Sequence, residues 1–63
     1  MNDWGVLYGV RILEKLTDWK SAREVAEELG LPEPEVKATL EALTRRGLVF
    51  RDGFRYIRQG GRA

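Results

Sequence analysis

The sequence predicts a mainly α domain of three helices closed by a small β-hairpin. Three observations carry this. Val36, Leu40 and Leu43 recur at steps of four and three, the spacing of a helix with one buried stripe. Ser21-Ala22-Arg23-Glu24 has the form of a capping box that opens a shorter helix just upstream. Downstream, β-branched and aromatic runs flank Asp52-Gly53, the strongest short-range hairpin signal.

Helix one is expected over about residues 3–17, capped by Asn2 or Asp3. On a helical wheel Val6, Val10, Leu13 and Leu16 fall together, with Gly5 and Gly9 beside them, and form the expected core face. Trp4, Leu7, Tyr8 and Ile12 fall on the flank and back, around Arg11 and Lys15. A helix apolar nearly all round buries its second face somewhere, and contiguous exposed apolar patches mark contacts. Trp4, Leu7, Tyr8, Arg11 and Ile12 are therefore the candidate interface of a homodimer; the competing reading packs these rings under the hairpin or tail of the same subunit.

Helix two spans about residues 22–29, with Val25, Ala26 and Leu29 as its buried stripe and Gly30 as its stop. Leu31-Pro32 turns the chain, with Leu31 expected inward. Helix three spans about residues 34–46. Pro34 suits its first turn, Arg45 and Arg46 suit the negative end of its dipole, and Gly47 supplies a left-handed stop. The hairpin covers about residues 48–58, with a type I′ turn at Asp52-Gly53 that sets Arg51 against Phe54 and Phe50 against Arg55. Residues 59–63 offer nothing to pack and are expected to fray. No repeat or linker interrupts the chain, so residues 1–63 form one domain.

Sixty-three residues make a small domain. Such a chain buries only about 60% of its unfolded surface, so dense packing or association matters. With no Cys and no His, disulfides and thiolate or imidazole metal sites are excluded, and no cofactor is expected. The same absences leave no nucleophile or tuned base, and Ser21 is explained as a cap, so an enzyme is not expected. No apolar run approaches the roughly 18 residues of a membrane span, and no signal peptide is recognisable, which makes a cytoplasmic protein the expectation. Arg outnumbers Lys eight to three, with one Asn and one Gln, a faint sign of a hot habitat.

Net charge is +1, but it is unevenly spread. Residues 1–44 carry five cations against nine acids, and residues 45–63 carry six arginines against Asp52 alone. Such asymmetry points to an anionic partner; the plain alternative is an ordinary solvated surface.

Helix, helix, tight turn, helix and hairpin is the order of the winged helix-turn-helix. RILEKL in helix one, SAREVAEELGLPEPEV across the turn and LEALTRRGLVFRDGFRYI into the wing resemble small bacterial and archaeal transcriptional regulators of the MarR, ArsR and IclR type. The resemblance covers about residues 6–58. It implies that helix three enters the DNA major groove while the wing reaches phosphates or the adjacent minor groove. Lys37, Arg45, Arg46, Arg51, Arg55 and Arg58 are then the candidate DNA-binding residues. Two features depart from the pattern. The outward face of helix three, Pro34, Ala38, Glu41, Ala42 and Arg45, offers few base-reading donors, and Glu33 and Glu35 crowd its N-terminus. The chain also has no room after the wing for an effector pocket, so a sensor role is not expected. Duplex DNA is the first expected partner. A winged-helix protein-interaction module is the alternative, and the two differ in whether the arginines share a face with helix three.

Overall fold

The computed structural model describes the backbone of residues 4–61 and the side chains of residues 8–61. Helices α1 (Trp4–Lys15), α2 (Ala22–Leu29) and α3 (Glu33–Arg45) pack against a three-stranded antiparallel sheet of β1 (Lys20–Ser21), β2 (Val49–Asp52) and β3 (Arg55–Arg58), in spatial order β1-β3-β2. This is the expected α+β winged helix-turn-helix.

The helix boundaries follow from local chemistry. The Ser21 hydroxyl accepts from the Glu24 N–H at 3.1 Å, and the Glu24 carboxylate accepts from the Ser21 N–H at 2.9 Å. The box thus satisfies two backbone donors at the start of α2. Gly30, at φ +67°, ends the helix, and Leu31 N–H returns to the Ala26 carbonyl at 3.0 Å. At the end of α3, Leu48 N–H donates to Leu43 O and Gly47 N–H to Thr44 O, both at 3.0 Å, with Gly47 at φ +79°. This pair of bonds is the Schellman arrangement, which needs a left-handed residue where Gly47 stands.

One core joins all the layers. Ile12 of α1, Leu16 just after it, Val25 of α2, and Val36 and Leu40 of α3 are fully buried, with Val49 and Tyr56 closing the core from the sheet. Leu31 packs against this cluster, as expected, beside Tyr8, Leu13 and Leu29.

The phase of α1 differs from the expected one. Ile12, read as interface, is in the core at 0% exposure, whereas Val10, read as core, is 55% exposed. Tyr8 is half-buried against the core, and the buried Gly9 meets α3, where a Cβ would lie 3.9 Å from Leu43. α1 therefore turns its Tyr8–Ile12 edge inward, with Leu16 just beyond its end also buried. Ile12 is spent on the intramolecular core and is not free for a second copy, and Arg11 is exposed. The side chains of Val6, Trp4 and Leu7 lie outside the described residues.

The wing register also differs. Asp52 pairs with Arg55, Arg51 with Tyr56, Phe50 with Ile57 and Val49 with Arg58, so the loop is Gly53-Phe54. Gly53 has φ +65°, and no described residue other than glycine has positive φ. A type I′ turn would place Asp52 in that region; glycine at the first loop position is the type II′ pattern instead, and it avoids the Cβ penalty. Partners shift by two positions, so each side chain keeps its face while Phe54 moves to the tip.

The expected hairpin gains a third strand: Lys20 pairs with Tyr56 and Ser21 with Arg55. Residues 59–61 fold back instead of fraying. Gln59 N–H donates to Leu48 O at 2.8 Å and Gly61 N–H to Arg58 O at 3.0 Å. Gly61 lies so close to the buried Ile57 that a Cβ would fall 2.8 Å from its Cγ1 and 3.0 Å from the Leu16 carbonyl oxygen. Residues 62–63 are outside the described part.

Candidate nucleic-acid interface

β2 alternates its side chains, so Val49 and Arg51 share the inner sheet face with Tyr56 while Phe50 and Asp52 face outward. Val49 and Tyr56 are buried. Arg51, one step nearer the tip, passes the edge of the core and enters an open groove of about 770 Å³ between the wing, α3 and the start of α2. Its Nη1 donates to the Gly53 carbonyl at 3.2 Å, which draws the guanidinium toward the loop.

From α3, Lys37, Glu41 and Arg45 line the same groove, with Glu33 at the helix start; from α2 comes Arg23. Four cations thus meet two carboxylates, and the surface is net positive. The groove follows one flank of α3. Ala42, expected outward, is half-buried, whereas Pro34, Ala38, Glu41 and Arg45 are exposed as expected. Of the six candidate DNA-binding residues the structure brings Lys37, Arg45 and Arg51 together on this face.

It does not bring the other three there. Arg55 projects from the outer sheet face, opposite Asp52 on one side and Ser21 on the other, with its guanidinium carbon 6.0 Å from the centre of the Phe54 ring. Such a contact holds the exposed arginine near the wing tip. Arg46 is exposed at the α3 C-cap and does not line the groove. Arg58 is half-buried in a separate hollow with Thr17, Asp18, Gly60 and Gly61, and its buried Nε has no hydrogen-bond partner among the described residues.

Arg23 was not among the sequence candidates. Its signal was available, because a capping box that starts at Ser21 puts Arg23 in the first exposed turn of α2. What periodicity lacks is the tertiary packing that aims this turn at the wing.

Electrostatic perturbations fall beside the groove, at the α1–α2 connection. Backbone hydrogen bonding from Ser21 holds the Glu24 carboxyl below its ordinary range, helped by the Ser21 hydroxyl and by the charges of Lys20 and Arg55. The Lys20 ammonium is raised, chiefly by its hydrogen bond to Glu28. Neither group lines the groove.

Residues 11–58 match the family model described as the sugar-specific transcriptional regulator TrmB. This chain belongs to the TrmB family. The matched span runs from the middle of α1 to the end of β3 and contains every residue of the groove. Membership of TrmB makes the chain a transcriptional regulator domain with a DNA-binding winged helix. No curated protein and no solved structure matches this TrmB chain. None of its described helices is long and apolar enough to cross a membrane.

Proposed function

We propose that this TrmB-family domain binds duplex DNA in the groove between α3 and the wing. The observation that carries the reading is the convergence of Arg23, Lys37, Arg45 and Arg51 from three separate elements onto one face. Cations on one face can follow a phosphate backbone, and the counterions they release supply the affinity. α3 is the element shaped for the major groove, and Arg55 with Phe54 at the wing tip is set to meet the flanking backbone. Phosphate contacts position the domain without reading sequence.

Pairing of two copies along α1, through exposed Val10 and Arg11, belongs to the same proposal, because two half-sites multiply affinity. A monomer in sedimentation at high concentration removes that part. The second reading, a protein-binding wing, draws on Leu48, Phe50 and Phe54, the exposed large apolar residues of the wing.

The test is fluorescence anisotropy of a labelled random-sequence duplex at several salt concentrations. The wild type is expected to bind with steep salt dependence. Arg23→Ala with Arg51→Ala is expected to reduce the log–log salt slope by about one unit for each phosphate no longer neutralised. An unchanged slope excludes the groove as the binding face, and absence of binding at low salt favours the protein partner.

A further inference from the structure

Glu33, Lys37, Glu41 and Arg45 follow one another on α3 at steps of four, and all four line the groove. Steps of four make one leaning row along a helix, with about 6 Å of rise between members. Acid and base alternate in it. On a solvated helix this order closes into ion pairs, and Glu four residues before Lys is the favoured orientation. Among the described residues no ion pair within 4.0 Å and no side-chain hydrogen bond joins any two of the four. The row keeps its donors and acceptors open toward the space that the duplex would occupy.

We infer that this row reads the major groove as an alternation of acceptors and donors, with Glu41 accepting from a cytosine amino group and Lys37 and Arg45 donating to guanines on either side. The inference rests on the duplex-binding reading above. An ionised glutamate only accepts hydrogen bonds. In the major groove cytosine presents its N4 amino donor, guanine presents N7 and O6 acceptors, and thymine presents O4 and a methyl group. A carboxylate held against guanine or thymine meets acceptors and is left unpaired; against adenine the N7 acceptor beside the N6 amino group opposes it, whereas against cytosine the N4 amino group satisfies it. Lys37 and Arg45, about 12 Å apart along the axis, bracket between three and four base pairs at about 3.4 Å each. A G·C-rich core of that length supplies acceptors at both ends and an amino group between them. The carboxylates also repel phosphates in every sequence alike, and only the cytosine contact offsets that cost, so discrimination falls on that one position.

The experiment is selection of bound sequences from a randomised duplex pool, with wild type, Glu41→Ala and Glu41→Gln, alongside anisotropy on a random duplex. Glu41 is exposed, and unchanged circular dichroism establishes that the variants fold. Wild type is expected to enrich cytosine at one position, flanked by guanines, by roughly tenfold. Glu41→Ala is expected to lose that preference at that position alone, and Glu41→Gln to move it toward adenine, which glutamine reads through N6 and N7. Both variants are expected to bind the random duplex more tightly than wild type. Wild-type binding without base preference, or a cytosine preference that survives Glu41→Ala, overturns the inference and leaves the duplex reading standing. Failure of wild type to bind any duplex overturns both.

Discussion

α2 and α3 are seated alike and finished differently. Each buries one stripe, Val25 and Ala26 on the first and Val36, Leu40 and Leu43 on the second. Each is also rich in charge on its exposed side. On α2 the acids are used within the molecule: Glu24 closes the capping box, Glu28 binds Lys20 and lies 4.0 Å from Lys15, and Glu27 lies 3.9 Å from Arg23, which itself lines the groove. The row of α3 makes no such pairs among the described residues, and its N-cap, Pro32, offers no side-chain bond. Two helices of similar composition thus play different parts. A charge already met by a neighbour contributes to the fold, and a charge left open in a groove is available to something else.

The largest test of this contrast concerns the part the helices share. Leu40→Ala is expected to cost roughly 2–5 kcal/mol in urea denaturation, because it empties a fully buried site. A loss of that size approaches the whole stability of a small domain. A cost no greater than that of a surface substitution means that α3 is not seated through this stripe.

The next test acts on α2 alone. Ser21→Ala removes the cap and is expected to cost about 1 kcal/mol. The cap also gives stability a pH dependence. Since the folded Glu24 carboxyl titrates below its ordinary value of 4.5, its contribution is complete above that value and disappears as pH falls through the lowered one. Glu24→Gln is expected to flatten that part of the acid limb in a denaturation series. Lys20 has the opposite sign: its raised value keeps its contribution intact below 10.5, and the contribution is lost as pH rises through the folded value.

The smallest effect is expected at Glu28→Gln. Its ion pairs lie at the solvated surface, where such pairs contribute little, and the salt slope of duplex binding should stay as in wild type. A marked change in slope means that the acids of α2 are not confined to the fold, and the contrast between the two helices fails.

The helices that end in strong local signals were legible from sequence. Ser21 with Glu24, Gly30, Pro34 and Gly47 act through neighbours within a few residues, so their meaning survives without tertiary context. The phase of α1 was legible only in part, because Arg11, Glu14 and Lys15 mark one polar side while apolar residues extend round both flanks, so the wheel does not say which flank meets the core. Packing of Gly9 against Leu43 settled the matter and took Ile12 inside. The wing register moved because Asp52-Gly53 marks a turn without stating which of its residues are the central pair. β1 is two residues long and has no period to detect. The groove was legible in part: the charge gradient pointed to the C-terminal arginines and the hairpin already set Arg51 and Arg55 on opposite faces, but which face meets the core, and how α2 aims Arg23 at the wing, are decided by tertiary packing.

Ser21 belongs to two structures at once, as the cap of α2 and as the residue of β1 that pairs with Arg55 at the root of the wing loop. The start of one helix and the base of the hairpin are therefore clamped through a single residue, and α3 follows α2 after a turn of three residues, Gly30 to Pro32. The opening between wing and α3 consequently behaves as a fixed gauge and not as an adjustable jaw. Whatever enters must bring the matching width, and a duplex that needs bending to fit must supply that deformation itself.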